Sequence, residues 1–123
     1  MSKNQGKRNR ERGAEFERES CKHLHALGFR TARKTGSIQA NGEGDPDIAG
    51  IFGLWISCKR WKNTMRWPLW WRDAEERTPP GSVPLILHRK DKGEIHVSFK
   101  LKDIHQIMAG LNDSLEISRR LDI

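Results

Sequence analysis

Gly44-Asp45-Pro46-Asp47-Ile48 and the downstream run Ile56-Ser57-Cys58-Lys59 decide how this chain is read. An acidic turn opens one apolar strand, and a second apolar strand ends on a lysine. Side chains alternate between the two faces of a strand. Trp55, Ser57 and Lys59 therefore share one face, and Ile56 and Cys58 share the other. Lys59 and position 57 point to the same side, where Asp47 can join them. Phosphodiester hydrolysis needs a positioned water, neutralised phosphate charge and support for the leaving oxygen, and carboxylates that hold a hard divalent ion, with a cation beside them, can supply all three. The Cys58 carbonyl offers a further oxygen. The departure is Ser57, a neutral hydroxyl where a second carboxylate would complete the set.

Working outward, Asp47 to Phe52 and Leu54 to Lys59 are expected to form a hairpin joined near Gly53, and Phe29 to Thr35 a short strand. Upstream, Phe16, Cys21, Leu24 and Leu27 recur at helical spacing, which predicts a helix from Gly13 to Leu27 capped by Gly28. Glu17 precedes Cys21 by four and Leu24 by seven, so it lies on the inward face, while Glu15 points to solvent. An inward carboxylate is costly unless paired, protonated or near a metal. An ion pair with Arg18, Lys22 or Arg33 is the plain alternative to a functional role. Between these segments, Gly36 to Gly44 reads as a loop.

Beyond the lysine, Pro68 is placed to open a helix through Arg77, which Thr78-Pro79-Pro80-Gly81 stops. Val83 to His88 and Ile95 to Phe99 read as strands joined by Asp91-Lys92-Gly93. Leu101 to Leu111 and Ser114 to Leu121 read as two further helical stretches. The order α-β-β-β-α-β-β-α implies an α/β fold with a mixed central sheet flanked by helices. The 123 residues suit one domain, 13–123, behind a flexible basic tail, 1–12.

The formal net charge of +7 suits a polyanionic partner. Lys7, Arg8, Arg10 and Arg12 in the tail, Arg18 on the helix, Arg33 and Lys34 before the loop, and Arg60 and Lys62 after Lys59 are the candidate DNA contacts. Four of the five tryptophans, Trp61, Trp67, Trp70 and Trp71, crowd one segment; they suit core or dimer packing ahead of base stacking. No apolar run reaches membrane-spanning length and no signal core opens the chain, so a cytoplasmic protein without a membrane partner is expected. Cys21 and Cys58 are expected to be reduced thiols.

These motifs, in this order, resemble the archaeal-type Holliday junction resolvases and their phage relatives, within the PD-(D/E)xK nuclease superfamily. Gly13-Ala14-Glu15-Phe16-Glu17-Arg18 is similar to that family's first-helix Gly-Ser-x-x-Glu-Arg. Gly28-Phe29, Arg33 and Gly36-Ser37 follow as in the family, then Pro46-Asp47-Ile48, then Ser57-Cys58-Lys59 in place of Glu-Cys-Lys. The resemblance spans about residues 13 to 60. It implies a restriction-endonuclease-like fold and a homodimer on branched DNA, with the four-way junction as substrate. It also implies Mg²⁺ (or Mn²⁺) held by Asp47 and position 57 with Glu17 nearby, Lys59 assisting catalysis, and Ser37 contributing to cutting.

Ser57 then implies weakened metal binding and impaired cleavage. A substitution made to trap an uncut complex is the favoured explanation, since everything around it is kept; a naturally inactive junction-binding chain and a replacement ligand from Asp45 or Glu43 are the others. Two competing readings keep the basic surface: a nuclease of the same fold acting on other DNA, and a non-cleaving DNA-binding protein. For a zinc site at Cys21, His23 and His25, only Cys21 and His25 share a helix face, and the sequence offers no second ligand pair at suitable spacing.

Overall fold

The end of the first helix is spelled out locally, by Gly28. A computed structural model describes residues 3–35 and 45–121, with backbone alone over 3–10. Helix α1 runs Lys3–Ala26. Gly28 sits at φ +105, the Gly28 amide donates to the His25 carbonyl and the Phe29 amide to that of Leu24, which together form a Schellman cap. The helix starts ten residues earlier than the apolar spacing predicts (Lys3 against Gly13). Apolar periodicity marks the part that packs. The Lys, Arg, Gln and Glu ahead of it are good helix formers that extend a helix already nucleated.

Five strands follow: β1 Arg33–Lys34, β2 Ile48–Ala49, β3 Leu54–Trp61, β4 Val83–Lys90 and β5 His96–Ser98. They form one sheet in chain order, with β3 and β4 parallel and every other pair antiparallel. The parallel pair needs a crossover, and helix α2, Trp67–Arg77, supplies it, with Pro68 in its first turn and Thr78 closing it through the Ala74 carbonyl. A 3-10 turn at Leu101–Asp103 leads into helix α3, Ile104–Leu121. The fold is thus α/β, a mixed sheet flanked by helices.

Two expectations differ in detail. The strands expected over Phe29–Thr35 and Asp47–Phe52 are shorter than the spacing implies, Arg33–Lys34 and Ile48–Ala49, and β1 pairs with β2 over those two residues only. Thr35 is diverted: its hydroxyl donates to the Pro46 carbonyl at 2.7 Å and its amide to that of Asp47 at 3.2 Å. The two terminal helical stretches are one helix, because exposed Asn112 and Asp113 lie on its solvent side instead of breaking it.

Odd and even positions of β3 sort the core into two layers. Leu54 and Ile56 face Phe16, Leu85, Leu87 and Ile107, with α1 and α3 contributing to that side. Trp55 faces the other way, against Ile86 and Ala74, with Trp70 and Trp71 alongside. The tryptophans of α2 thus roof the second face. Trp67 meets Trp70 and Trp71 edge-on, each at 5.8 Å between centroids, and His88 at 5.3 Å. Small residues let α3 approach. The buried Ser114 hydroxyl accepts from the Phe52 amide, and that of Ser118 accepts from the Arg30 amide. Gly50 marks the tightest approach beside the site, since a Cβ there would lie 1.9 Å from the Thr31 carbonyl oxygen.

Candidate active site at the end of strand β2

Asp47 is fixed on every side by backbone chemistry. Its amide donates to the Ile56 carbonyl at 2.9 Å, its carbonyl accepts from Thr35, and its carboxylate Oδ2 accepts from the Cys58 amide at 2.7 Å. Pairing of β2 with β3 stops at Ile48, so the Asp47 side chain takes over as acceptor for a strand amide that would otherwise lack one. An amide and carbonyl of one strand residue leave on the same edge, which puts the Cys58 carbonyl on the edge that Asp47 occupies. Burial raises the Asp47 carboxyl above its ordinary pKa, against the Cys58 amide bond and the charges of Lys59 and Arg77, which lower it; Asp73 raises it further.

Glu17 reaches the same place from α1. It is half-buried, between buried Phe16 and buried Ser20, while Glu15 is exposed, which is the orientation the helical spacing predicts. Its carboxyl is raised to about 7, first by burial and then by Asp47, with Lys34 and Arg18 opposing. A carboxylate whose pKa is raised by burial and by a second carboxylate is favoured to ionise by a cation placed beside the two. Burial, Asp47 and Glu17 also hold the Cys58 thiol well above its usual range, which removes it as a nucleophile at neutral pH.

Ser57 and Lys59 lie on the α2 side of β3, beside Ile86 and His88 in parallel register. Ser57 is 2 % exposed. The ammonium of Lys59 stands 3.7 Å from Asp73 of α2, which also takes Arg77 at 3.2 Å. The site therefore draws on both faces: Glu17 from one, Lys59 from the other, and Asp47 at the strand edge between them.

A cleft of about 330 Å³ continues from Lys59 along the end of β3, past Arg12, Arg60, Trp61 and Lys62. Arg60 is tied down by Asp91 at 2.6 Å, and Lys90 lies over the Trp61 ring at 5.4 Å. Lys34 is half-buried near Glu17, whereas Arg33 is exposed on β1. Ser37 and Glu43 lie outside the described residues, as do the side chains of Lys7, Arg8 and Arg10; Asp45 is exposed. Of the residues considered for zinc, Cys21 is buried and the His25 ring is hydrogen-bonded to the Ala32 carbonyl at 2.6 Å.

Asp73 and Arg77 were not among the residues expected here. The available signal was the helix opened by Pro68, on which Trp70, Asp73, Ala74 and Arg77 form a stripe at i, i+3, i+4 and i+7. Among the described residues no three His, Cys, Asp or Glu side chains are close enough to hold a metal by themselves, and no helix is long and apolar enough to cross a membrane. Compared with known proteins, the chain matches no family model, no curated protein and no solved structure.

Proposed function

We propose that this chain is a metal-dependent endodeoxyribonuclease of the PD-(D/E)xK type, acting as a homodimer on branched DNA, with the four-way junction as its substrate. One observation carries the reading: a partly buried carboxylate, Asp47, locked onto the Cys58 amide, with Glu17 on one side and Lys59 on the other. The donors fit Mg²⁺ or Mn²⁺, hard ions bound through one or two carboxylates, waters and substrate phosphate rather than by a full protein cage. Asp47, Glu17 and the Cys58 carbonyl would hold the ion, which when bound neutralises phosphate charge and acidifies a water. Lys59 places a proton-donating cation over the departing charge, and the cleft with Arg12 and Lys62 carries the phosphate backbone toward it. Ser57 leaves β3 without a second acid, so the strands alone make a weakened site.

The test offers labelled four-way, forked and linear duplex DNA to the chain and to Ser57→Glu, with Mg²⁺ or with EDTA. Mg²⁺-dependent nicking of the four-way junction by Ser57→Glu, lost when Asp47→Asn is added, is the expected result. If no metal-dependent cut appears on any of the three DNAs, although they are bound, the chain is instead a non-cleaving DNA-binding protein. Preferential cutting of the fork or the linear duplex would keep the enzyme and overturn the junction.

A further inference from the structure

The vacancy at position 57 has a neighbour that fills its role. Helix α2 lies over the face of β3 that carries Trp55, Ser57 and Lys59, held there by Trp70 and Ala74 against Trp55 and Ile86. Asp73 sits one position before Ala74, on the edge of the stripe that packs. Its carboxylate reaches the Lys59 ammonium at 3.7 Å, and its charge acts on Asp47 across the strand edge. An acid grown from position 57 would emerge on this same side, beside the same lysine.

We propose that Asp73 is the second acid of the nuclease site, delivered from helix α2 instead of from strand position 57. The inference rests on the nuclease reading above. The site's acids then come from three elements, Glu17 from α1, Asp47 at the start of β2 and Asp73 from α2, and the ion has to draw them into one coordination shell, since in the structure they stand too far apart to form one by themselves. Asp73 is held by Lys59 and Arg77. A divalent ion competes with those pairs, because surface ion pairs are weak and a second carboxylate adds directly to the ion's binding. Arg77, one turn further along α2, fixes the carboxylate's approach. Ser57 is on this view compatible with a working enzyme, and neither Asp45 nor Glu43 is needed as a replacement.

The deciding experiment compares the parent chain with Asp73→Asn, Ser57→Glu and the double variant. Mn²⁺ affinity is measured by calorimetry without DNA, and Mg²⁺-dependent nicking on four-way DNA. Asp73→Asn is expected to weaken Mn²⁺ binding at least about tenfold and nicking about a hundredfold. Adding Ser57→Glu to Asp73→Asn should recover most of both losses, and adding it to the parent should gain far less. Because Ser57 is buried, thermal unfolding of each variant is followed as well; should Ser57→Glu fail to fold, Asp73→Glu keeping Mn²⁺ binding where Asp73→Asn loses it decides the matter. Asp73→Asn that binds and cuts like the parent overturns the proposal. So does a parent that is inert while Ser57→Glu cuts, and so does a loss in Asp73→Asn that Ser57→Glu leaves unrescued, which would make Asp73 only a clamp on Lys59. Those outcomes spare the nuclease reading. Absence of both Mn²⁺ binding and cutting in the parent and in Ser57→Glu sinks the two together.

Discussion

At the scale of single residues, charge and backbone pairing converge on Asp47. The spacing of the two strands was enough to place its carboxylate near Lys59, but not to show that it caps the Cys58 amide, because that depends on where β2 stops pairing. Asp47→Ala leaves that amide without its acceptor, and should cost about 1–3 kcal/mol in thermal or denaturant unfolding without metal. Glu17 gives a pH-dependent signature. Its pKa of about 7 in the folded chain exceeds the ordinary 4.5, so the folded state holds its proton more tightly than the unfolded one. Stability from this group is complete below about pH 4.5 and is lost as pH rises to 7. In EDTA, Glu17→Gln should therefore raise the unfolding free energy at pH 8 by about 1–2 kcal/mol once partial exposure is allowed for, and leave it nearly unchanged at pH 4.5. A gain of equal size at both pH values would show that Glu17 does not feel Asp47 or burial.

At the scale of elements, the pieces legible in sequence were those with local signals. The Gly28 cap, Pro68 at the head of α2 and the turn at Asp91-Lys92-Gly93 each name their own boundary. What sequence left hidden depends on docking. Asp73 belongs to the site only because Trp70 and Ala74 seat α2 on Trp55 and Ile86, and no spacing within α2 announces which strand it will cover. Trp70→Ala should remove about 2–3 kcal/mol of stability and loosen Asp73 from Lys59 along with it. Helix α3 docks by a different device, small residues instead of large ones. A Cβ at Gly110 would lie 2.2 Å from the Phe52 carbonyl oxygen, so Gly110→Ala should destabilise the chain by about 1–3 kcal/mol, read as a lowered denaturation midpoint. An unchanged midpoint would mean that α3 sits further from the hairpin than described.

At the scale of the whole molecule, a chain of net charge +7 carries a cleft lined by Arg12, Lys59, Arg60 and Lys62. Attraction along such a cleft works through counterion release, so DNA affinity should fall with salt, and Lys62→Ala should lower the slope of log affinity against log salt by about one. A slope unchanged by Lys62→Ala would place the DNA elsewhere. The α/β architecture was legible because strand and helix signals alternate along the chain. The meeting of α1, β2, β3 and α2 at one strand edge was not, since it arises from packing both faces of a single sheet. The central claim is that this edge is a metal-dependent nuclease centre built on Asp47. Its most direct measurement is the single-turnover rate of four-way junction nicking in Mg²⁺ by the parent and by Asp47→Asn. The account predicts cutting by the parent and a loss of at least about a hundredfold in the variant, with junction affinity retained. Equal rates for the two, or cutting that persists in EDTA, would contradict it.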